Sequence, residues 1–421
     1  MRWARPGGTV ACMSWRARIA LTACVAVPSV LVRASGAQLS EVLALLVFGG
    51  AVVAAAFLLA WAAEAAEVDI SGNLAVAILA LIAVLPEFAV DLYFAFTAGH
   101  RPEYAAYAAA NMTGSNRLLI GFGWSLAAVA FMVGVARRGG RARGVDLEPE
   151  RRIELAFLGL ASIYAVIIPL TRQIAWYDSI VLIGLFAAYM WRVGHTKQEE
   201  PDLIGVAAAL GELTTRRRRT LVVGLFAVAA AVVLAAAQPF AEALIGTGRV
   251  LHIDEFLLVQ WLAPLASESP ELLVACLFSF RGKGDKGLGT VLAAEVSQWT
   301  LLVGAIPVAY FIGGGDGSLP LDPRQHAEFI LTSAQAVLGF AVLANLRMSR
   351  WEAGTMIGLF AVQFALPDPS ARIALAGAYL VIALCILVVE RHQVVRIVRC
   401  PFRIGAERLG LEPPEPVRPA R

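Results

Sequence analysis

Residues 266–271 read Ala266-Ser267-Glu268-Ser269-Pro270-Glu271, in the middle of an apolar run from about 253 to 280. The pattern has a twin. Leu85-Pro86-Glu87-Phe88 sets Pro-Glu at the centre of an earlier apolar run, from about 72 to 98, and each run is followed by another apolar run. A proline within a helix removes one backbone hydrogen bond and frees a carbonyl oxygen. A carboxylate at membrane depth costs about 2.5–3.5 kcal/mol on insertion scales. Two such costs in matching places point to a site that holds positive charge.

The composition agrees with a membrane setting. Of 421 residues, 59% are hydrophobic and 16% charged, against about half and about a quarter in soluble globular chains. The net charge is +3, and the basic residues fall in short clusters between apolar runs, which argues against a nucleic-acid groove. Cys12, Cys24, Cys276, Cys385 and Cys400 are scattered, with no C-x-x-C spacing, so neither a disulfide framework nor a zinc site is expected. No nucleophile–base pair or phosphate loop stands out, so no enzyme is expected, and no resident cofactor either.

Residues 1–37 form a basic N-terminus with a short apolar run, Ile19 to Val32, that reads equally as a signal peptide or a short first span. Apolar runs at about 40–63, 72–98, 104–136, 153–171 and 174–193 make up a first half, 38–193. A polar loop, 194–219, contains Arg216-Arg217-Arg218-Arg219. A second half, 220–366, has runs at about 220–246, 253–280, 287–313, 324–346 and 352–366, and one more span fills 367–390. The basic, proline-rich tail 391–421 is expected to be surface-bound or disordered. The expected fold is an all-α integral membrane protein of about eleven to twelve spans, each run being near the roughly 20 residues a crossing helix needs. Loops at 137–152, 194–219, 281–286, around Arg347 and Arg350, and after Glu390 are separated by even numbers of spans and carry the basic residues. The positive-inside rule makes that side cytoplasmic, most simply in a plasma (inner) membrane.

Aligning the halves on Pro86-Glu87 and Pro270-Glu271 places Asn111 on Glu295 and Thr113 on Ser297 without a gap. Later, Trp176-Tyr177-Asp178 and Trp351-Glu352 open corresponding spans. An odd number of helices per repeat, here five, puts the copies in opposite orientation, as in many secondary transporters, with the site at the midplane. Freed carbonyls and carboxylates form an all-oxygen ligand set of the kind hard cations such as Ca²⁺ take. Glu87 and Glu271 are its expected centre. The following helices add Asn111, Thr113, Ser115 and Asn116, and Glu295, Ser297 and Gln298, although such side chains also serve helix packing. Asp91 lies one turn after Glu87, and Glu268 one turn before Glu271. Close carboxylates cannot all stay ionised without counter-charge, which permits proton coupling. His252 reads as a solvated helix start, and Arg216–Arg219 as a topology signal or a seat for anionic headgroups.

With both Pro-Glu stretches and Asn111-Met112-Thr113-Gly114-Ser115-Asn116 in view, the chain resembles the sodium/calcium exchanger family of the calcium/cation antiporter superfamily. Its members carry G-T-S-x-P-E and G-N-x-x-G-S-N stretches in two inverted repeats. The resemblance implies an antiporter in which Glu87 and Glu271 hold Ca²⁺ in competition with Na⁺ or H⁺, Ser267 lines the site, and Asn111 and Ser115 belong to the partner helix. This chain departs from the pattern: Ala83-Val84 replaces Thr-Ser, Glu268 takes a serine position, and Ala294-Glu295-Val296-Ser297-Gln298-Trp299-Thr300 replaces the second asparagine-rich stretch. Leu119 and Val303 stand where the family has a polar residue. The missing groups resemble the family's sodium ligands, and the additional acids Glu268, Glu295 and Asp91 favour protons. The expectation is alternating-access exchange of Ca²⁺ or a similar cation for H⁺ or Na⁺. The alternatives are Na⁺/H⁺ or K⁺/H⁺ exchange, or a non-transporting sensor on the same fold.

Overall fold

The computed structural model describes residues 13–69, 82, 85–195, 203–366 and 368–400. Expectations for Ala83-Val84, the first twelve residues, part of the 194–219 loop and the tail beyond 400 fall outside the described residues.

The N-terminal α1 (Trp15–Ser35) precedes the first half, which comprises α2 (Glu41–Ala66), α3 (Leu85–Ala98), α4 (Tyr104–Arg117), α5 (Trp124–Arg137), α6 (Arg152–Ile167) and α7 (Trp176–Val193). After the short α8 (Gly205–Gly211) come α9 (Thr215–Leu251), α10 (Glu255–Phe280), α11 (Gly284–Ser297), α12 (Val303–Ile312), α13 (Pro323–Leu343) and α14 (Arg350–Val362). Two helices follow the repeats, α15 (Pro369–Val389) and α16 (Arg391–Arg399). Among the described residues, eight helical stretches are long and apolar enough to cross a membrane. The remaining apolar runs of the sequence correspond to α3, α7, α10 and α14. The chain is an all-α integral membrane protein.

Local sequence explains the helix ends. Ser14 accepts from the Ala17 N–H, and Gly36, at φ 68°, closes α1. Asp254 caps α10 through the Phe256 N–H, and Asp322 and Gln325 cap each other's backbone at α13 behind Pro323. One expectation is corrected here. Arg216–Arg219 belong to the first turns of α9 rather than to a loop, where Arg218 holds both carboxylate oxygens of Asp69 at 2.7 Å and bonds the carbonyls of Gly211 and Leu213. Residues 391–399 are helical, with Val394 and Ile397 packed inward and Arg396 and Arg399 facing out.

Paired contacts carry the inverted repeat. The strand β1 (Gly144–Asp146) follows α5, and β4 (Arg347–Ser349) precedes α14; they pair antiparallel. Their counterparts β3 (Leu319–Pro320), after α12, and β2 (Gln173–Ile174), before α7, also pair antiparallel. The hydrogen bond from the Leu147 N–H to the Leu346 carbonyl has a twin from Leu321 to Arg172, and both Leu346 and Arg172 have positive φ, 60° and 54°. At α7 an Asp178 carboxylate oxygen accepts the Ala175 N–H at 2.7 Å, and at α14 one of Glu352 accepts the Ser349 N–H at 2.7 Å.

The Pro-Glu helices end in the same exchanged way. A Cβ at Gly313, after α12, would stand 1.8 Å from the carbonyl of Phe96 in α3. One at Gly134, in α5, would stand 2.0 Å from the carbonyl of Phe280 in α10. Each Pro-Glu helix therefore lies backbone to backbone against the opposite repeat, which only glycine permits.

These contacts sort the loops into two ends. Asp285 bonds the Glu148 N–H at 2.8 Å and pairs with Arg151 at 3.0 Å, so the 137–152 and 281–286 loops meet where β1 joins β4. At the other end Gly99 packs on Gly313, β2 joins β3, and Arg324 pairs with Asp254 at 2.7 Å. The basic loops 137–152, 281–286 and 347–350 thus share one end, as the sequence predicts.

Candidate cation site

The site is built on α3, α4, α10 and α11. Pro264 leaves the carbonyl of Gln260 without its helical partner, and α4 packs on that point through Gly114, where a Cβ would lie 1.7 Å from the same oxygen. This approach brings the residue after Gly114 to the acids. The Ser115 hydroxyl lies 3.0 Å from Oε1 of Glu87 and also bonds Oε1 of Glu268, which accepts from Nε2 of Gln298 at 2.9 Å as well. One hydroxyl on α4 thus links a carboxyl of α3 to one of α10, and α11 closes the group.

Further acids lie near this fork: Asp91, Glu271 and Glu295, like Glu268, are within electrostatic range of Glu87. Asp91 and Glu295 are both 0% exposed, and none of their carboxylate oxygens is hydrogen-bonded. Asn111 stands beside Asp91, and its Oδ1 is also without a partner, as is Oε1 of Gln298. An array of unpaired buried oxygens is costly without a cation or protons.

The expected ligands thus divide. Glu87, Ser115 and Glu268 meet directly; Asp91, Asn111 and Glu295 are buried close by, not solvated at helix ends. Glu271 departs from its expected place at the centre. It makes no bond to the fork, because it lies one turn beyond Glu268 and is only partly buried, though its Oε2 is enclosed. Ser267 bonds the carbonyls of Ala263 and Pro264 at 3.2 and 3.3 Å, which engages its proton with its own helix. The carbonyl of Ala266, freed by Pro270, accepts from Ser269 at 3.1 Å. Thr113 bonds the Ala109 carbonyl at 2.7 Å and receives Gln260 at 3.2 Å, and Ser297 bonds the Ala293 carbonyl at 3.3 Å. As the side chains stand, no group of three His, Cys, Asp or Glu converges at metal-binding distance among the described residues.

Two further features follow the site in both repeats. The helix turns π-helical at Leu118–Gly123 and again at Gln298–Leu302, directly after the polar residues; such turns concentrate at functional sites. Leu119 and Val303 are both 0% exposed within apolar packing, so neither offers a ligand. Sequence reading passed over Arg117, buried two residues past Ser115, although a charge inside an apolar run is itself a signal.

The comparisons fit this geometry. A search of curated proteins found no match. Among solved structures, the H⁺/Ca²⁺ exchanger CAX superposes with a TM-score of 0.87 at 39% identity, covering 94% of this chain and 99% of that one. The Ca²⁺/H⁺ antiporter protein YfkE, at 15% identity and TM-score 0.59 over 86% of this chain and 99% of its own, shares the fold. So does the sodium-calcium exchanger NCX_Mj, at 17% identity and TM-score 0.50 over 82% and 99%. The model of the sodium/calcium exchanger protein family matches residues 40–194 and 221–366, the two repeats. The chain belongs to the sodium/calcium exchanger family and is a cation antiporter of the calcium/cation antiporter superfamily.

Proposed function

We propose that this protein exchanges Ca²⁺ for H⁺ at the Glu87–Ser115–Glu268 fork. The observation that carries the reading is the shared hydroxyl. Ser115 has one hydrogen and two carboxyl neighbours at bonding distance, so it donates to one, and the other must carry a proton to complete its bond. A divalent cation entering between the carboxyls displaces that proton, and Ser115 then turns to donate elsewhere while its lone pairs face the ion. Cation and proton compete for one set of oxygens, which couples their movements. Asp91, Asn111, Gln298 and Glu295 supply the remaining oxygens that a cation with about six to eight ligands requires. Glu271 serves the path to the fork from its own helix, and Ser267 lines it.

The apolar packing of Leu119 and Val303 supports protons over sodium as the counter-ion, and the similarity to the 39%-identical H⁺/Ca²⁺ exchanger CAX points the same way. The end that gathers the basic loops, with the central loop and C-terminus, is assigned to the cytoplasm of a plasma (inner) membrane by the positive-inside rule.

The test is radioactive Ca²⁺ uptake into proteoliposomes holding the purified protein, with pH and sodium gradients imposed separately. Uptake driven by the pH gradient and lost in Glu87→Gln supports the reading. Uptake driven by sodium alone, or Na⁺/H⁺ or K⁺/H⁺ exchange without Ca²⁺ movement, overturns it. Cation-dependent stabilisation without any flux overturns it in favour of a sensor.

A further inference from the structure

Arg117 is fully enclosed on α4, and its guanidinium makes a different contact at each edge. Nη2 pairs with Oε2 of Glu328 on α13 at 2.6 Å, neither side chain being exposed. Nη1 donates to Gln363, just past α14, at 2.9 Å, Nε donates to the Thr113 carbonyl at 3.2 Å, and the plane lies 5.0 Å from the Trp261 ring of α10. The other oxygen of Glu328 pairs with Nη1 of Arg372, on α15, whose Nε bonds the Leu366 carbonyl at 2.9 Å. The carbonyl of Arg117 in turn accepts from Gln335 of α13 at 3.1 Å. Two guanidiniums and one carboxylate are therefore joined in the interior, none of them used by the proposed exchange. Arg372 lies beyond the two segments the family model matches, 40–194 and 221–366.

Such a triad contributes little stability, since desolvation offsets the attraction and apolar residues of similar size do as well. It does specify geometry. A planar fork held by two hydrogen bonds and an ion pair fixes the rotation of the helix that bears it. At 3.6 residues per turn, a slip of one residue turns α4 by about 100° and carries Ser115 off the carboxyls.

We propose that Arg117, Glu328 and Arg372 are positioning residues for the cation site, and that α15, outside the repeats, thereby holds α4 at the rotation that aims Ser115 at Glu87 and Glu268. The inference rests on the proposed exchange for its transport readout and on the structure alone for its second readout.

The experiment compares the full-length reconstituted protein with Arg372→Met, and with a combined Arg117→Met, Glu328→Leu and Arg372→Met variant that removes all the charges. Half-saturating Ca²⁺ and maximal rate are measured alongside amide exchange of residues 104–117. Arg372→Met is expected to raise half-saturation roughly three- to thirtyfold, with maximal rate within about twofold, and to speed exchange in 104–117 but not in 41–66. The combined variant is expected to melt like the parent yet keep the raised half-saturation. Parental half-saturation in both, with a lowered melting temperature in Arg372→Met, overturns the proposal. Should Arg372→Met not fold, Arg372→Lys, which keeps the charge and loses the fork, is read by the same criteria. If the parent moves no Ca²⁺, the exchange reading has failed, and the amide-exchange contrast decides the positioning role: faster exchange in 104–117 upholds it, unchanged exchange refutes it.

Discussion

The hydroxyl of Ser115 on α4 is bonded to the carboxyl of Glu268 on α10, and from the same position it reaches Glu87 at 3.0 Å. One hydroxyl thus joins carboxyls from both repeats. Ser115→Ala removes the oxygen whose lone pairs face the ion and the group that orients both carboxyls. It is therefore expected to raise half-saturating Ca²⁺ by about ten- to a hundredfold, whereas Ser115→Thr, which keeps the hydroxyl, stays within a few fold. Uptake kinetics in proteoliposomes measure both.

The acids of α10 should separate by function. Glu268→Gln, at the fork, is expected to abolish uptake, while Glu271→Gln, one turn away and only partly buried, is expected to retain measurable exchange with weaker apparent affinity. Equal loss in both would show that Glu271 turns into the centre during the cycle. The same uptake assay compares them, with thermal unfolding as the check on folding.

Gly134 and Gly313 hold the two repeats backbone to backbone, with 2.0 and 1.8 Å available to a Cβ against a carbonyl. Each glycine-to-alanine substitution is expected to cost about 1–3 kcal/mol through forced displacement, and the costs should be similar because the contacts are twins. Gly184, with no atom within 4 Å of its Cβ direction, is the control; Gly184→Ala should be neutral or stabilising. Thermal unfolding in detergent reads all three.

Asp69, just past the end of α2, is held below the usual carboxylate range by its hydrogen bonds to Arg218, with the charge of Arg218 adding to the effect. A lowered folded value means that the unfolded chain takes up the proton first as pH falls. The stability Asp69 contributes is then complete above the ordinary carboxylate value of about 3.9 and is lost as pH falls through the lower folded value. Asp69→Asn is expected to lower the unfolding temperature at neutral pH and to make no difference at the most acidic pH at which the protein stays folded.

Much of the fold was legible in the residues because membrane burial leaves coarse marks. Apolar runs, basic loops and the duplicated Pro-Glu stretches place helices and relate the halves, and Gly114 next to Ser115 marks the close approach. The Arg216–Arg219 run misled because its charge reads as loop, while the helix α9 starts at Thr215 and Arg218 finds its counter-charge in Asp69. Arg117, Glu328 and Arg372 lie in separate apolar runs with no repeat to draw attention to them.

By itself the sequence determined the helical membrane class and the inverted repeat, and it led to the expectation of an acidic site centred on Glu87 and Glu271, since each depends on composition, order or spacing along the chain. Only the tertiary structure decided that Glu268 joins Glu87 at Ser115 while Glu271 stands aside, and that α15 is tied to the site helix through Arg372 and Glu328. Spacing fixes the depth of a side chain along a helix, but the packing of neighbouring helices fixes the helix's rotation, and rotation selects which carboxyl meets the hydroxyl.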